Sequence, residues 1–169
     1  MSGPPDLAVR PYRADDLALV HRLMHETIHA LSLRDYTPAQ VAAWAPDPES
    51  PAGVAQRARL SASLEASIAC VADWAGELGG FGNVTSAGFM DYLYVHREHQ
   101  GRGVASRLLT CLEAAARETG ARQMETHASL TLRPPLERRG YQLLERRRVV
   151  VVGVAMENFW MAKGLSPGT

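Results

Sequence analysis

An excess of charge of either sign is missing from this sequence: Lys+Arg 18 stand against Asp+Glu 18, a formal net charge of zero over 169 residues. That balance argues against a dominant nucleic-acid or membrane surface and points to a small partner. Cysteine is scarce. Cys70 lies in an apolar run and Cys111 in a predicted helix, without metal-type spacing, so both read as small buried hydrophobes suited to a reducing cytoplasm. No apolar run reaches membrane-spanning length, and Met1 to Asp6 has neither a basic start nor an apolar stretch behind it. A cytoplasmic protein is expected. With 46% hydrophobic residues, the chain suits one α/β domain over residues 1–169.

The stretch that organises the rest runs from Asp91 to Leu112. Leu93-Tyr94-Val95 has the aromatic and β-branched content of a strand, and His96 to Gln100 is too polar to continue it. From Val104 the residues Ala105, Leu108, Leu109, Leu112, Ala115 and Ala116 make the apolar face of a helix, with Arg107, Glu113, Arg117 and Glu118 opposite and Gly120 as its stop. Between them, Gln100-Gly101-Arg102-Gly103-Val104-Ala105-Ser106 opens a helix whose first N–H groups have no intrahelical partner. Those donors and the helix dipole favour an anion. Glycine at 101 and 103 lets it approach the backbone, and Arg102 adds a cation. A pyrophosphate fits this description.

A P-loop is excluded, because no lysine follows Gly103 at the required place. The dinucleotide fingerprint is a nearer imitation, with Glu125 ending the next predicted strand, but its third glycine is replaced by Ser106 and no further strand–helix alternation follows. The segment Leu93-Tyr94-Val95-His96, followed by Gln100-Gly101-Arg102-Gly103-Val104-Ala105 and Leu108-Leu109, resembles the acetyl-CoA signature of the GNAT superfamily of N-acetyltransferases, (Arg/Gln)-x-x-Gly-x-(Gly/Ala). Asp35 to Gln40 with Ala42 to Pro46 resembles its small bacterial YafP-like subgroup. The resemblance implies a GNAT fold of the α/β (α+β) class. Its mixed, mostly antiparallel central sheet would have about seven strands, including a splayed parallel pair, with helices on both faces.

In chain order, Leu7 to Arg13 reads as a strand and Leu17, Val20, Met24, Ile28 and Leu31 as a helical stripe carrying His21, His25 and His29 at four-residue spacing. A straight histidine row on one helix does not converge on one ion, so no metal is expected there. If the row faces a pocket, His25, Glu26 and His29 are acceptor-binding candidates. Thr37-Pro38 starts a short helix, with Tyr36 and Trp44 as aromatics able to stack on a substrate, and a third helix covers Ala52 to Leu64. Ser67 to Trp74 and Leu78 to Val84 read as antiparallel strands, and Arg122 to His127 as a strand returning parallel to the signature strand. Thr131 to Arg139 follows as a helix, Val149 to Val154 and Asn158 to Lys163 close the sheet, and Leu165 to Thr169 is expected to fray. The apolar last strands suggest a possible homodimer.

The resemblance implies acetyl-CoA as donor, CoA as product, and a primary amine of a small molecule or peptide as acceptor. Leu93, Tyr94 and Val95 would bind the pantetheine and Gln100 to Ser106 the pyrophosphate. Ser129 and Arg133 fall in the stretch resembling a second cofactor motif. An alkyl amine has a reference pKa of about 10, so the site must remove a proton. Asp91 is the first candidate base, His127 the second and Glu125 the third. Leu136 stands where many GNAT enzymes carry a thiolate-protonating tyrosine, leaving no assigned general acid. No acidic cluster marks a polyamine or aminoglycoside pocket, since Glu26 and Asp35 are single charges. A non-catalytic acyl-CoA sensor and, more distantly, a dinucleotide oxidoreductase are the alternatives.

Overall fold

The computed structural model describes residues 6–167. Strands β2 (Ile68–Trp74) and β3 (Glu77–Val84) pair antiparallel, with β1 (Leu7–Pro11) on one side and β5 (Leu93–Val95) on the other. The second sheet runs in the order β4 (Phe89–Met90), β6 (Gln123–Ala128), β8 (Val154–Gly164), β7 (Gln142–Val151). Strands β4 and β5 follow one another along the chain, β5 being the signature strand expected from sequence. The first pairs parallel with β6 and the second antiparallel with β3, so the chain passes from one sheet to the other at Asp91-Tyr92.

Helices cover both faces because the strands alternate. Val71 and Phe81 pack among Val20, Met24, Ile28, Val41 and Leu60, which come from α1 (Leu17–Leu31), α2 (Pro38–Trp44) and α3 (Pro51–Glu65). Cys70 and Ala72 point the other way, against Val104, Leu108 and Leu112 of α4 (Val104–Glu118). Each apolar stripe therefore meets one side of the sheet. The α2 start is as expected: Thr37 Oγ1 accepts from the Gln40 N–H while Gln40 Oε1 accepts from the Thr37 N–H, a capping box ahead of Pro38.

Several expectations need correction. Strand β1 ends at Pro11, and Asp16 is committed to the fold: it accepts two bonds from Arg10, at 2.8 and 2.9 Å, and one from the Arg13 N–H. The helix expected from Thr131 begins at Arg133 (α5, Arg133–Arg138), since Pro134 and Pro135 fit only its first turn. Val149 to Val154 is no continuous strand. It contains the β7–β8 hairpin turn, with Val152 at φ 48° and Gly153 at φ 76°, and β7 begins as early as Gln142. Leu165 does not fray. It is buried in the core and its N–H donates to the Arg122 carbonyl at 2.8 Å; Gly168 and Thr169 lie outside the described residues.

Glu113, expected on the solvent face of its helix, is only 3% exposed. It accepts hydrogen bonds from Arg139 at 3.2 Å, Lys163 at 3.1 Å and Tyr141 Oη at 3.1 Å. Burial alone would raise its pKa, but the two cations outweigh burial and hold the carboxyl below the usual range. Among the described residues no helix is long and apolar enough to cross a membrane.

Candidate active site

The passage from one sheet to the other opens a cleft. Thr126 Oγ1 donates to the Met90 carbonyl at 2.8 Å, at the last parallel pair, and beyond it β6 follows β8 while β5 follows β3. The break is fixed by Asn83, whose N–H donates to the Tyr92 carbonyl and whose Oδ1 accepts from the Tyr92 N–H at 2.8 Å. Asn83 Nδ2 donates to Ser63 Oγ, which in turn donates to Asp91 Oδ2 at 2.6 Å. A buried amide thus pins the bend and orients the carboxylate at its corner. Nothing in the local sequence identifies Asn83 as more than a strand residue.

The cleft encloses about 300 Å³. One end is lined by Gln100, Ala105, Leu132 and Pro135, the other by Asp91, His127, Tyr36, Trp44, Met156 and Asn158, with Leu93, Tyr94 and Val95 along its floor. At the first end, Gly101 (φ 72°) and Gly103 (φ 83°) take left-handed conformations that disfavour a side chain, and a Cβ at either would meet nothing within 4 Å. The approach to the backbone is therefore open. Gly103 begins α4 without a side-chain cap, and the first helical bond is donated by Arg107 to the Gly103 carbonyl, so the Val104, Ala105 and Ser106 N–H groups point outward at the positive end of a fifteen-residue helix. This cradle fits a pyrophosphate.

Other loop side chains are partly engaged. Gln100 Nε2 donates to the Val95 carbonyl at 2.7 Å, occupying an oxygen that the sequence left for a ligand. The Arg102 guanidinium lies 5.5 Å from the centroid of Trp74, which is also stacked on the ring of buried His99. Ser106 Oγ accepts from Arg139 at 3.0 Å. Ser129 Oγ accepts from the Leu132 N–H, and Arg133 pairs with Glu137 at 2.6 Å while lying 4.7 Å from the Phe159 centroid. Ser129 lines the cleft; Arg133, engaged by these two contacts, is not part of its wall.

The acceptor candidates divide. Tyr36 and Trp44 line the cleft, edge to face at 5.4 Å, and Tyr36 Oη accepts from the Leu130 N–H at 2.7 Å. Burial pushes the phenol of Tyr36 above its ordinary pKa, and Tyr94 likewise, so both stay protonated donors. His25, Glu26 and His29 do not line the cleft; from their helix Thr27 and Ile28 do. His29 Nε2 lies 2.8 Å from the Ala45 carbonyl with the His25 ring tilted beside it at 4.4 Å, and Glu26 pairs with Arg22 and His96. His29 and Glu26 thus tie their helix to neighbouring segments, and none of the three forms part of the cleft wall.

Of the candidate bases, Asp91 and His127 line the cleft; Glu125 is not part of its wall and accepts a bond from Gln123. Burial, reinforced by the Arg147 guanidinium, holds the His127 imidazole below the usual histidine range. Arg147 Nη1 is 2.8 Å from both ring nitrogens. A point in the ring plane so placed would lie well inside van der Waals distance of the carbon between them, so the guanidinium sits off the ring plane and leaves the in-plane lone pair available. Val149, Met156 and Asn158, which line the cleft, and Arg147, which lies against His127, come from strands in which the sequence shows no motif.

Comparisons with known proteins agree with this geometry. Residues 32–160 match the family model described as an acetyltransferase (GNAT) domain. The chain is 29% identical over 156 residues to the N-acetyltransferase YafP of Escherichia coli (strain K12), covering 92% of this chain and 95% of that protein. It is 32% identical to the aminoglycoside N(6')-acetyltransferase type 1 of Stenotrophomonas maltophilia over 114 residues, 56% of this chain and 73% of that one. A crystal structure of a GCN5-related N-acetyltransferase from Rhodopseudomonas palustris superposes with a TM-score of 0.86 at 31% identity, covering 98% of each chain. The structure of yncA from Salmonella typhimurium, solved with acetyl-CoA, shares the fold at a TM-score of 0.69 and 17% identity over 97% of this chain and 96% of that one. With its signature strand and glycine loop both inside the matched segment, the chain belongs to the GNAT family of acetyltransferases.

Proposed function

We propose that the protein transfers an acetyl group from acetyl-CoA directly to a primary amine of a small molecule or peptide. One observation carries this reading: a single cleft joins the anion cradle at the start of α4 to Asp91 and His127 at the sheet junction. Bound there, the donor supplies a thioester carbonyl carbon. The neutral amine attacks that carbon, the C–N bond forms as the C–S bond breaks, and the amine proton leaves while the thiolate departs to take up a proton.

The chain's part is positioning and proton removal. Outward N–H groups from Val104 to Ser106 hold the diphosphate, and the apolar walls at Leu132 and Pro135 exclude water. His127, neutral at pH 7, takes the amine proton on its in-plane lone pair. Asp91, fixed by Ser63, draws the ammonium form into the cleft. No tyrosine occupies position 136; the leaving thiol has a pKa of about 8.5, so water can protonate it.

The test is calorimetric titration of acetyl-CoA, with thiol release measured over an amine panel. Acetyl-CoA binding that is lost in Gly103→Glu, together with amine-dependent thiol release, is the expected outcome. Binding without release on any amine would favour a sensor, and heat from NADH but none from acetyl-CoA would overturn the reading altogether.

A further inference from the structure

Beside the acceptor end of the cleft, against its His127 wall, lies a cation with no carboxylate partner among the described residues. Arg146, Arg147 and Arg148 lie consecutively on β7, the edge strand of its sheet, and strand alternation puts Arg147 on the same face as Val149 and Val151, which line the cleft. The partner strand presents Asn158 directly opposite Arg147 and Met156 opposite Val149. Beside the cleft is a second hollow, lined by Gln40, the three arginines, Ala155, Met156 and Glu157, and it shares Met156 and Glu157 with the cleft.

Two features of this corner call for a ligand. The ion pairs formed among the described residues involve Arg10, Arg22, Arg133, Arg139, Lys163 and His96, so no carboxylate holds Arg147. Its one close contact is off the ring plane of His127, where no lone pair points. Five N–H donors in a planar fork are left to be satisfied. Directly opposite, Asn158 Oδ1 is buried and has no hydrogen-bond partner, an acceptor oxygen inside the cleft wall. The acidic groups facing the corner are Asp91 across the cleft and Glu157, which is paired in register with Arg148.

We infer, resting on the acetyltransferase reading above, that the acceptor is an amine carrying a carboxylate a few bonds from its nitrogen. Arg147 binds the carboxylate, and Asn158 Oδ1 and Asp91 receive the N–H groups. A cation beside the attacked amine repels a polyamine or aminoglycoside and selects a zwitterion, because discrimination comes as much from repulsion as from attraction. Arg147 is then a specificity residue that also leaves the His127 face as the carboxylate engages it.

The experiment compares matched pairs with the full chain and saturating acetyl-CoA: methionine against methioninamide, phenylalanine against phenylalaninamide, and kanamycin as the polycation. The expected result is a kcat/KM ratio of acid to amide of about 10 to 100, expressed mainly in KM and abolished by Arg147→Gln. Asn158→Leu should raise KM for acid and amide alike while keeping the ratio. Rates are expressed per neutral amine, because the amide's amino group is less basic than the acid's, and the change in the ratio between wild type and Arg147→Gln then removes any effect of the variant on His127 as a base. Equal turnover of acid and amide, or preference for kanamycin, overturns the inference while leaving acetyl transfer intact. If no amine is turned over although acetyl-CoA binds, N-acetylmethionine and its amide are titrated into the CoA complex. Tighter binding of the acid, lost in Arg147→Gln, supports the inference, and equal affinity overturns it.

Discussion

At the α4 end of the cleft the groups proposed to meet a ligand are backbone donors from residues contiguous in the chain, Val104 to Ser106, exposed by one left-handed glycine. At the β7 end they are side chains from distant segments: Tyr36 before α2, Asp91 at the bend, His127 on β6, Arg147 on β7 and Asn158 on β8. A backbone site depends on one local conformation and is indifferent to most side chains. A side-chain site can change its ligand through any of its members, while the fold stays put. The cradle should therefore be fragile only at its glycines and its helix anchor, and the far end fragile in chemistry but not in cofactor affinity.

The largest expected effect tests that separation. His127→Ala should lower kcat by about 10²- to 10⁴-fold while leaving acetyl-CoA affinity within about twofold. Weakened acetyl-CoA binding in this variant would mean that the two ends are not independent. Next comes the anchor of α4. Glu113→Ala removes the acceptor for Arg139, Lys163 and Tyr141 and leaves the buried Tyr141 hydroxyl without its carboxylate partner. A loss of about 2–3 kcal/mol in urea unfolding is expected. The native-state carboxyl is depressed, so its contribution is present above pH 4.5 and fades as pH falls through the folded value.

A smaller effect probes the floor between the ends. A Cβ at Gly80 would lie 2.8 Å from the Tyr94 carbonyl and 3.1 Å from side chains of Leu108 and Val104. Gly80→Ala therefore presses β5 and α4 apart at a cost of about 1–2 kcal/mol. Because β5 floors the cleft and α4 starts the cradle, acetyl-CoA binding should weaken along with stability. A drop in stability without loss of affinity would show that the cradle is set by the loop alone.

The same contrast explains how much of the molecule could be read from its residues. The strand, glycine loop and helix from Leu93 to Glu118 are local, with β-branched content, φ-permissive glycines and a 3.6-residue stripe all within one window, and the structure reproduces them. The capping box at Thr37 and the parallel return of β6 were legible for the same reason. Glu113 was misplaced because helical periodicity reports which face is apolar, not whether Arg139, Tyr141 and Lys163, from the far end of the chain, arrive to satisfy a carboxylate. The histidine row misled similarly: equal spacing on α1 places three rings on one side without saying that His29 meets the Ala45 carbonyl. Arg147 and Asn158 acquire their meaning only through the cross-strand register of β7 with β8.

The smallest expected effect is a displacement along the pH axis. His127 faces Phe89 edge-on and feels Arg147, Asp91 and Glu125. Burial and then Arg147 lower its pKa from 6.5, while the two carboxylates raise it, and the net direction is down. Charging the ring thus costs more in the folded chain than in the unfolded one, so its contribution to stability is held above pH 6.5 and lost as pH falls. If His127 is the base, the acid limb of kcat/KM lies below pH 6.5. Arg147→Gln should move that limb upward and Asp91→Asn downward, each by less than about one pH unit. Profiles measured with an amide acceptor keep the carboxylate-binding role of Arg147 out of the comparison. Opposite displacements identify the imidazole as the titrating group between a cation and a carboxylate, whereas shifts of the same sign would place the catalytic proton elsewhere on the cleft wall.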